Sequence, residues 1–149
     1  MWIGDGNYWL AEGGGGGVTV VIEGPQGDTI RSLTGPSRAG LNRLQWDLRY
    51  EPTNQPRLRT PPPGMDWVPL GPEGWRPLRT WDLDLFRGHL GPRVVPGTYT
   101  VRLTRGGVEQ STTVEVLKDP RSTGTQADLE AQVALGLTMR DEINSIVAM

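Results

Sequence analysis

The sequence predicts a mainly β protein, a small antiparallel sandwich with a long insertion and a C-terminal helix. Two blocks, residues 40–49 and 91–104, alternate apolar and polar side chains, which is the pattern of half-buried strands. The 21 glycines and 13 prolines among 149 residues are typical of a chain with many turns and few long helices. We therefore place the sandwich at residues 1–120, with the insertion at 51–90, and a helical segment at 121–149.

The N-terminal third predicts strands separated by glycine-containing turns. The glycine run at residues 13–17 is predicted to be a flexible hairpin loop, because neither helix nor strand tolerates consecutive glycines well. A phosphate-binding loop would need a lysine and a following helix, whereas residues 18–23 are β-branched and predict a strand. A turn at residues 24–28 leads into a second strand at 29–33, so this pair is predicted to form a β-hairpin.

One strand supplies the predicted central aromatic residue of the core. Leu44, Trp46 and Leu48 share one face of this strand and are predicted to point inward. Trp46 could instead be a platform on which a sugar ring stacks, but its phase with two leucines favours packing. The residues between them are predicted to face water or a neighbouring loop, and they are Arg43, Gln45, Asp47 and Arg49.

A proline-rich insertion at residues 51–90 interrupts the strand pattern and contains three tryptophans, Trp67, Trp75 and Trp81. A loop of this length without regular structure is uncommon in a compact domain, and linkers that stay disordered are poor in aromatic residues. The tryptophans are therefore predicted to pack against the sandwich, an adjoining domain or another copy of the chain. Residues 81–86 alternate apolar and acidic side chains, which indicates a short edge strand.

Regular structure is predicted to resume after the insertion with a second hairpin. Tyr99, Val101 and Leu103 share the inward face of its first strand. Tyr99 follows a proline–glycine bend, an arrangement that resembles a tyrosine corner, in which the phenol bonds the backbone of the preceding turn. Residues 105–107 are predicted to turn the chain into a last strand at 110–117.

The C-terminal segment predicts one long helix. Thr125 is a suitable N-cap, Asp128 lies in the first turn where the helix dipole favours a carboxylate, and residues 126–148 contain no proline. No glycine, asparagine or basic turn caps the end of this helix, so we expect a truncated helix. An apolar stripe is predicted for Leu129, Val133, Ala134, Leu137, Ile143 and Val147, with Glu130, Arg140 and Asp141 on the wetter side.

Charge and composition exclude several classes of partner and site. The 15 basic and 17 acidic residues give a net charge of −2, so no basic surface is available for nucleic acid. The absence of cysteine excludes disulfides, and a single histidine, His89, excludes a histidine-rich metal site, so neither a metal nor another cofactor is expected. No run is long and apolar enough for a membrane span, and the N-terminus lacks the pattern of a secretory signal, which leaves the location of the chain itself open.

Three blocks of the sequence resemble a C-terminal module of exported bacterial proteins. They are residues 40–49, 91–104 and 118–132, and the resemblance extends over nearly the whole chain. In that family the module follows a β-propeller of BNR or sortilin-like repeats, in proteins often labelled as glycosyl hydrolases. The resemblance implies an immunoglobulin-like or fibronectin type III-like sandwich, akin to the module of flagellar-hook capping proteins, and a periplasmic or extracellular parent protein. The chain has no propeller repeats, so no catalytic residue is carried over.

The insertion contains the candidate residues for an enzymatic function. Asp82, Asp84 and Glu73 lie near the tryptophans, and glycoside hydrolysis uses two carboxyl groups. Aromatic rings beside carboxylates suit a carbohydrate, but no spacing selects a catalytic pair. The same set includes the carboxylate of Asp66 and the candidate carbohydrate-binding residues Trp67, Trp75 and Trp81.

An esterase is a second possible chemistry. It would need a nucleophile and a base, and His89 is the only imidazole in the chain. Ser32, Ser37 or Ser122 with His89 and Asp84 is conceivable, but the chain contains no Gly-x-Ser-x-Gly nucleophile elbow.

Two functions from different classes follow from the sequence. The favoured one is a noncatalytic accessory module that packs against a propeller domain or associates with itself, as a dimer that exchanges the helix or the insertion. The alternative is a small stand-alone hydrolase, a glycoside hydrolase before an esterase, that uses the carboxylates of the insertion.

Overall fold

The structure, a computed structural model, describes residues 4–14, 16–60, 63–67, 69–71, 73–74 and 89–149. Within these ranges the chain forms six strands and one helix. The strands are β1 (Gly4–Leu10), β2 (Val18–Glu23), β3 (Thr29–Gly35), β4 (Gly40–Trp46), β5 (Gly97–Arg105) and β6 (Val108–Val116), and the helix is α1 (Gln126–Ala148).

The strands form two antiparallel sheets, which is consistent with a β-sandwich. β1 pairs with β4 in a two-stranded sheet, and the second sheet has the order β3-β2-β5-β6. Side chains of both sheets share the core, since Leu10 of β1 packs with Val18 and Val20 of β2. In a second cluster, Trp46 of β4 packs with Ile22 of β2. The predicted mainly β architecture with a C-terminal helix is confirmed.

The hairpins β2–β3 and β5–β6 form as predicted, because glycine occupies the turn positions at which φ is positive. In the first turn the Gly24 amide donates to the Asp28 carbonyl at 2.8 Å, and Gly27 has a φ of 82°. In the second turn Gly106 and Gly107 have φ values of 56° and 82°. Two successive positive φ values define the type I′ turn, whose twist matches that of an antiparallel hairpin.

The glycine run at residues 13–17 does not close a hairpin, and this prediction is wrong. β1 pairs with β4 rather than with β2, so the strands on either side of the run belong to different sheets. The Gly14 amide donates to the Ser37 carbonyl at 3.1 Å, and a Cβ at Gly13 would lie 2.9 Å from the Ala39 nitrogen. The backbone at Gly13 and Gly14 therefore lies so close to that of residues 37–39 that a side chain would not fit at Gly13, which explains the glycine there.

Trp46 is confirmed as a core aromatic residue, with 5% of its surface exposed. Its ring meets that of Tyr99 edge-on, with centroids 5.5 Å apart and planes at 66°, a favoured geometry for aromatic pairs. The indole N–H donates to the Arg49 carbonyl at 3.0 Å, so the buried donor is satisfied. β4 ends at Trp46, and Leu48 reaches the core from the following loop at a φ of 57° rather than by strand alternation.

Tyr99 makes the hydrogen bond that a tyrosine corner requires. Its side chain is 1% exposed, and its hydroxyl donates to the Val95 carbonyl at 2.7 Å. The bond closes the bend that precedes β5 and satisfies a polar group inside the core. Burial raises the pKa of Tyr99 to about 12, because the phenolate would lose its hydration.

Substitution of Tyr99 by phenylalanine is expected to lower the free energy of unfolding at pH 7 by about 1–3 kcal/mol, because the Val95 carbonyl loses its donor. Above pH 10 the unfolded phenol ionises while the folded one stays neutral, so the wild-type chain loses stability as the pH rises toward 12. The difference in the free energy of unfolding between the wild type and the variant should therefore be about 1 kcal/mol smaller at pH 11 than at pH 7. Urea unfolding at both pH values measures this, and a difference that stays constant would contradict it.

α1 begins and ends where the sequence predicts. The Thr125 hydroxyl accepts a hydrogen bond from the Asp128 amide at 3.2 Å, and the Asp128 carboxylate accepts one from the Thr125 amide at 2.8 Å. The reciprocal pair is a capping box, which satisfies donors that the first helical turn leaves free. The hydrogen bonds from Thr125 also lower the pKa of Asp128.

Candidate functional site

The two ends of the insertion pair with each other in a short antiparallel ladder, which we call the neck (residues 48–54 and 89–94). At its centre the Tyr50 amide donates to the Pro92 carbonyl at 3.0 Å. The ladder fixes the distance between the point where the chain leaves the sandwich and the point where it returns. Two further backbone bonds extend the ladder, from Val94 to Leu48 at 2.9 Å and from Thr53 to His89 at 3.1 Å.

Gly91 allows the two sides of the neck to approach each other. A Cβ at this position would overlap the carbonyl oxygens of Tyr50 and Glu51, so a larger residue cannot enter without moving backbone. The Gly91 carbonyl accepts a hydrogen bond from the Arg49 guanidinium at 2.8 Å. Arg49, which the sequence places toward water or a neighbouring loop, contacts the returning side of the neck.

The neck is also bonded to the edge of β3. The Glu51 amide donates to the Ile30 carbonyl at 3.0 Å, and the Arg31 guanidinium donates to the Tyr50 carbonyl at 3.0 Å. Ile30 is the extra residue of a β-bulge, since β2 pairs first with Arg31 and then with Thr29. The Glu51 carboxylate accepts a bond from the Ser32 amide at 2.6 Å, which adds a second attachment. The insertion therefore leaves the sandwich from a fixed position beside β3.

The single histidine lies within the neck. The Nδ1 atom of His89 is 3.2 Å from the Thr53 hydroxyl, and Thr53 is 7% exposed. This contact fixes the orientation of a half-buried imidazole. Among the described residues the ring is paired with Thr53, and none of the candidate serines is hydrogen bonded to it; those serines are Ser32, Ser37 and Ser122.

The candidate residues of the insertion are only partly described. Trp67 is 66% exposed, and Asp66 and Glu73 are also exposed. Within the described part of the chain, no group of three or more histidine, aspartate or glutamate side chains is placed to hold a metal ion. The remaining candidates lie outside the described residues, as does the predicted edge strand at 81–86; they are Trp75, Trp81, Asp82 and Asp84.

α1 packs on the loops at the end of the sandwich that carries the neck, rather than on the strands. Gly136 faces Pro92 so closely that a Cβ there would lie 2.8 Å from the proline ring. Two hydrogen bonds hold the ends of the contact, because the Asn144 side chain accepts from the Asn54 amide at 2.7 Å and the Gln126 side chain donates to the Pro96 carbonyl at 3.3 Å. The helix is thereby held against the neck at Asn54 and Pro92, and against the bend before β5 at Pro96.

The opposite face of α1 presents large apolar side chains to solvent. We call this set the outer stripe; its members recur at spacings of three and four residues and therefore share one helix face. Exposure along the stripe is high, and no residue of α1 is buried. The outer stripe consists of Leu135 (63% exposed), Met139 (58%), Ile143 (39%), Ile146 (63%) and Met149 (96%).

The structure corrects the single apolar stripe predicted for the helix. Ile143 belongs to the outer stripe, and Ala134 is exposed, so neither joins the packed face. Arg140, predicted on the wetter side, is half-buried. Gly136 and Asn144 add a small and a polar residue to the packed face, which an apolar pattern does not detect. The other four members of the predicted stripe are half-buried on this same side of the helix; they are Leu129, Val133, Leu137 and Val147. The spacing of Leu135, Met139 and Ile146 was visible in the sequence and would have revealed the second stripe.

The candidate site therefore combines a hydrogen-bonded neck, from which the insertion leaves the sandwich, with a helix that has an exposed apolar stripe on its far side. No helix within the described residues has the length and hydropathy needed to cross a bilayer. Comparison of the chain with family models, with curated proteins and with solved structures found no match.

Proposed function

We propose that this chain is a noncatalytic accessory module, an immunoglobulin-like or fibronectin type III-like sandwich that binds a neighbouring protein surface through its helix. The observation that carries the proposal is the outer stripe, which faces away from the loops on which α1 packs. A helix that served only its own domain would need one apolar face, whereas α1 has a packed face and a second apolar face in water.

The energetics of the outer stripe favour a partner. Covering a leucine or methionine side chain contributes about 1.5–3 kcal/mol, and Leu135 and Met139 are both more than half exposed. Contiguous apolar surface on a soluble domain is typical of an interaction site. Because Leu135, Met139 and Ile146 project from one regular helix, they form an ordered surface that a partner can dock on without first ordering it.

The proposed partner is the β-propeller domain of a larger parent protein. The proposal rests on the sequence blocks at residues 40–49, 91–104 and 118–132, which resemble modules that follow such propellers in exported bacterial proteins. In the absence of that domain, the outer stripe is expected to be covered by a second copy of the chain, in a dimer that exchanges the helix.

The hydrolase alternative ranks second because nothing in the described residues favours it. Its candidate pair, Asp82 and Asp84, lies outside those residues, and Glu73 is exposed. His89 is held by Thr53 in the neck, a contact that serves the backbone ladder. The candidate carbohydrate-binding residues Trp67, Trp75 and Trp81 remain part of this alternative.

Replacement of Leu135 and Met139 by lysine, which we call the stripe variant, is expected to weaken association through the helix at least about a hundred-fold. The physical reason is the loss of two apolar anchors from the contact. Light scattering and sedimentation equilibrium at tens of micromolar measure the effect. Ala127→Lys with Ala134→Lys is the matched control, because both positions are exposed on another part of the same helix and the change in net charge is identical.

The proposal fails if the stripe variant and its control associate equally, or if the wild-type chain stays monomeric throughout this concentration range. The noncatalytic assignment has its own test, in which the purified chain is given chromogenic glycosides and esters. Turnover that is lost in Asp82→Asn, Asp84→Asn or His89→Ala would establish the hydrolase instead.

A further inference from the structure

β6 is an edge strand that lacks most of the features that normally protect such an edge, although it carries two charged residues, Glu109 and Glu115. It is nine residues long, and its pairing with β5 runs from end to end without a bulge. Residues 108–113 are exposed, and the strand contains no lysine and no proline. Natural edge strands are usually short, bulged or marked by such residues, because an open edge pairs readily with another strand.

The hairpin geometry shows which backbone groups of β6 face outward. In a hairpin closed by a two-residue turn, the flanking pair, Arg105 and Val108, is hydrogen bonded, and bonded pairs then alternate along the ladder. Even-numbered residues of β6 therefore bond to β5, and odd-numbered residues direct N–H and C=O to the open edge. Among the described residues, none is seen to hydrogen bond to these outward groups, which belong to Glu109, Ser111, Thr113 and Glu115.

The chain's own insertion leaves the sandwich at the opposite edge. The neck bonds to Ile30 and Arg31 of β3, and β3 and β6 are the two outer strands of the four-stranded sheet. Two strands and three inter-strand spacings of about 4.8 Å separate these edges. The occupant that matches β6 in length and in backbone spacing is a second β6, since two identical antiparallel edges are complementary around a two-fold axis.

Charge selects the position of that axis. An axis between Ser111 and Thr113 would place Glu109 opposite Glu115 of the other copy twice, and like charges directly opposite are destabilising. Glu109 already pairs with Arg102 of its own chain at 2.5 Å. An axis at Ser111 would run the ladder into the glycine turn, whereas an axis at Thr113 uses residues 109–117 and sets Ser111 opposite Glu115.

We propose that β6 binds β6 of a second copy, antiparallel around a two-fold axis at Thr113, and joins two four-stranded sheets into one of eight strands. On the inner face this pairing sets Thr112 opposite Val114 and Gln110 opposite Val116. Val114 and Val116 are half-buried at the margin of the core, and the second strand covers them further. The β6 edge is separate from the outer stripe of α1, so the proposal made for one surface can be wrong while the other holds.

Cysteine cross-linking tests the register directly, since the chain contains no cysteine of its own. In the proposed pairing the two Thr113 residues form a hydrogen-bonded pair with Cα atoms about 5.5 Å apart, within the range of a disulfide. Thr113→Cys in the stripe variant is expected to give a covalent dimer under mild oxidation. Glu115→Cys is the matched control, because its two copies lie about 13 Å apart along the strands.

Loss of one outward donor tests the affinity in the same background. Thr113→Pro removes an N–H that points away from β5 and is expected to raise the dissociation constant of the dimer at least about ten-fold. Thr113→Ala keeps the N–H and should leave the dimer intact. Circular dichroism checks that both variants keep the fold, and sedimentation equilibrium measures the dimer.

The proposal is supported by preferential cross-linking through position 113 together with selective loss of the dimer in Thr113→Pro. It is overturned if the stripe variant is monomeric, if positions 113 and 115 cross-link equally, or if proline and alanine behave alike. A monomeric stripe variant leaves the helix proposal standing, whereas a stripe variant that dimerises as the wild type does removes the helix proposal and keeps this one.

Discussion

Trp46→Ala should lower the free energy of unfolding by about 3–5 kcal/mol, the largest effect expected for a single core substitution in this chain. Trp46 is 5% exposed and packs in the cluster that joins the two sheets, with Ile22 and Tyr99 among its neighbours. Alanine would remove the edge-on contact with Tyr99 and leave a cavity that the surrounding strands can only partly fill. Since small domains are stable by about 5–15 kcal/mol, a loss of this size removes a large fraction of the total stability.

Trp9→Ala provides the matched control for this prediction. Trp9 is the same residue type on the paired strand β1, but it is 67% exposed on the outer face opposite Leu41. Its loss should cost at most about 1 kcal/mol, the range of a cross-strand pair. Urea unfolding followed by far-ultraviolet circular dichroism compares the variants, because fluorescence would average six tryptophans. Equal effects of the two substitutions would contradict the assignment of Trp46 to the core.

Local sequence signals predicted most of the fold. The alternation of apolar and polar side chains identified Trp46 and Tyr99 as inward-facing. In a strand with one buried and one solvent-exposed face, every second side chain is apolar. The glycine turns and the Thr125 capping box are also local, because each is closed by residues within a few positions of one another. The boundaries of α1 at residues 126–148 followed from the same signals.

What the sequence did not predict depends on contacts between distant segments. β1 pairs with β4 across residues 11–39, and no local pattern indicates which strand is the partner, so the sequence wrongly predicts a hairpin at the glycine run. Leu48 departs from alternation because the chain turns there into the neck. The hydrogen bond between Thr53 and His89 joins residues 36 positions apart, which composition and spacing cannot reveal.

The candidate site was predictable only in part, because it too depends on contacts between distant segments. The outer stripe has a helical period that the sequence shows, but an apolar pattern does not say which of two apolar faces will be covered by the chain's own loops. The covered face includes Gly136, whose lack of a side chain lets the helix approach Pro92, and Asn144, which accepts a hydrogen bond from the Asn54 amide. A face can therefore be identified from the sequence, whereas its partner requires the tertiary structure.

Gly91→Ala should lower the free energy of unfolding by about 1–3 kcal/mol, and its effect should be concentrated in the neck. The new Cβ would overlap the carbonyl oxygens of Tyr50 and Glu51. The Tyr50 oxygen cannot retreat easily, since it accepts from Arg31 and the N–H of the same peptide group, that of Glu51, donates to the Ile30 carbonyl. The two sides of the neck must then separate, and the point at which the insertion leaves the sandwich is no longer fixed beside β3.

Gly97→Ala is the matched control, because no atom lies within 4 Å of a Cβ at that position. Amide hydrogen exchange distinguishes opening of the neck alone from destabilisation of the whole domain. In Gly91→Ala the amides of Tyr50, Thr53 and Val94 should lose protection well before the strand amides, whereas in Gly97→Ala both sets should match the wild type. If the neck is a rigid support for the insertion, its protection must fall with this one methyl group; unchanged exchange at Tyr50 and Val94 would show that the ladder tolerates the overlap and does not fix the insertion.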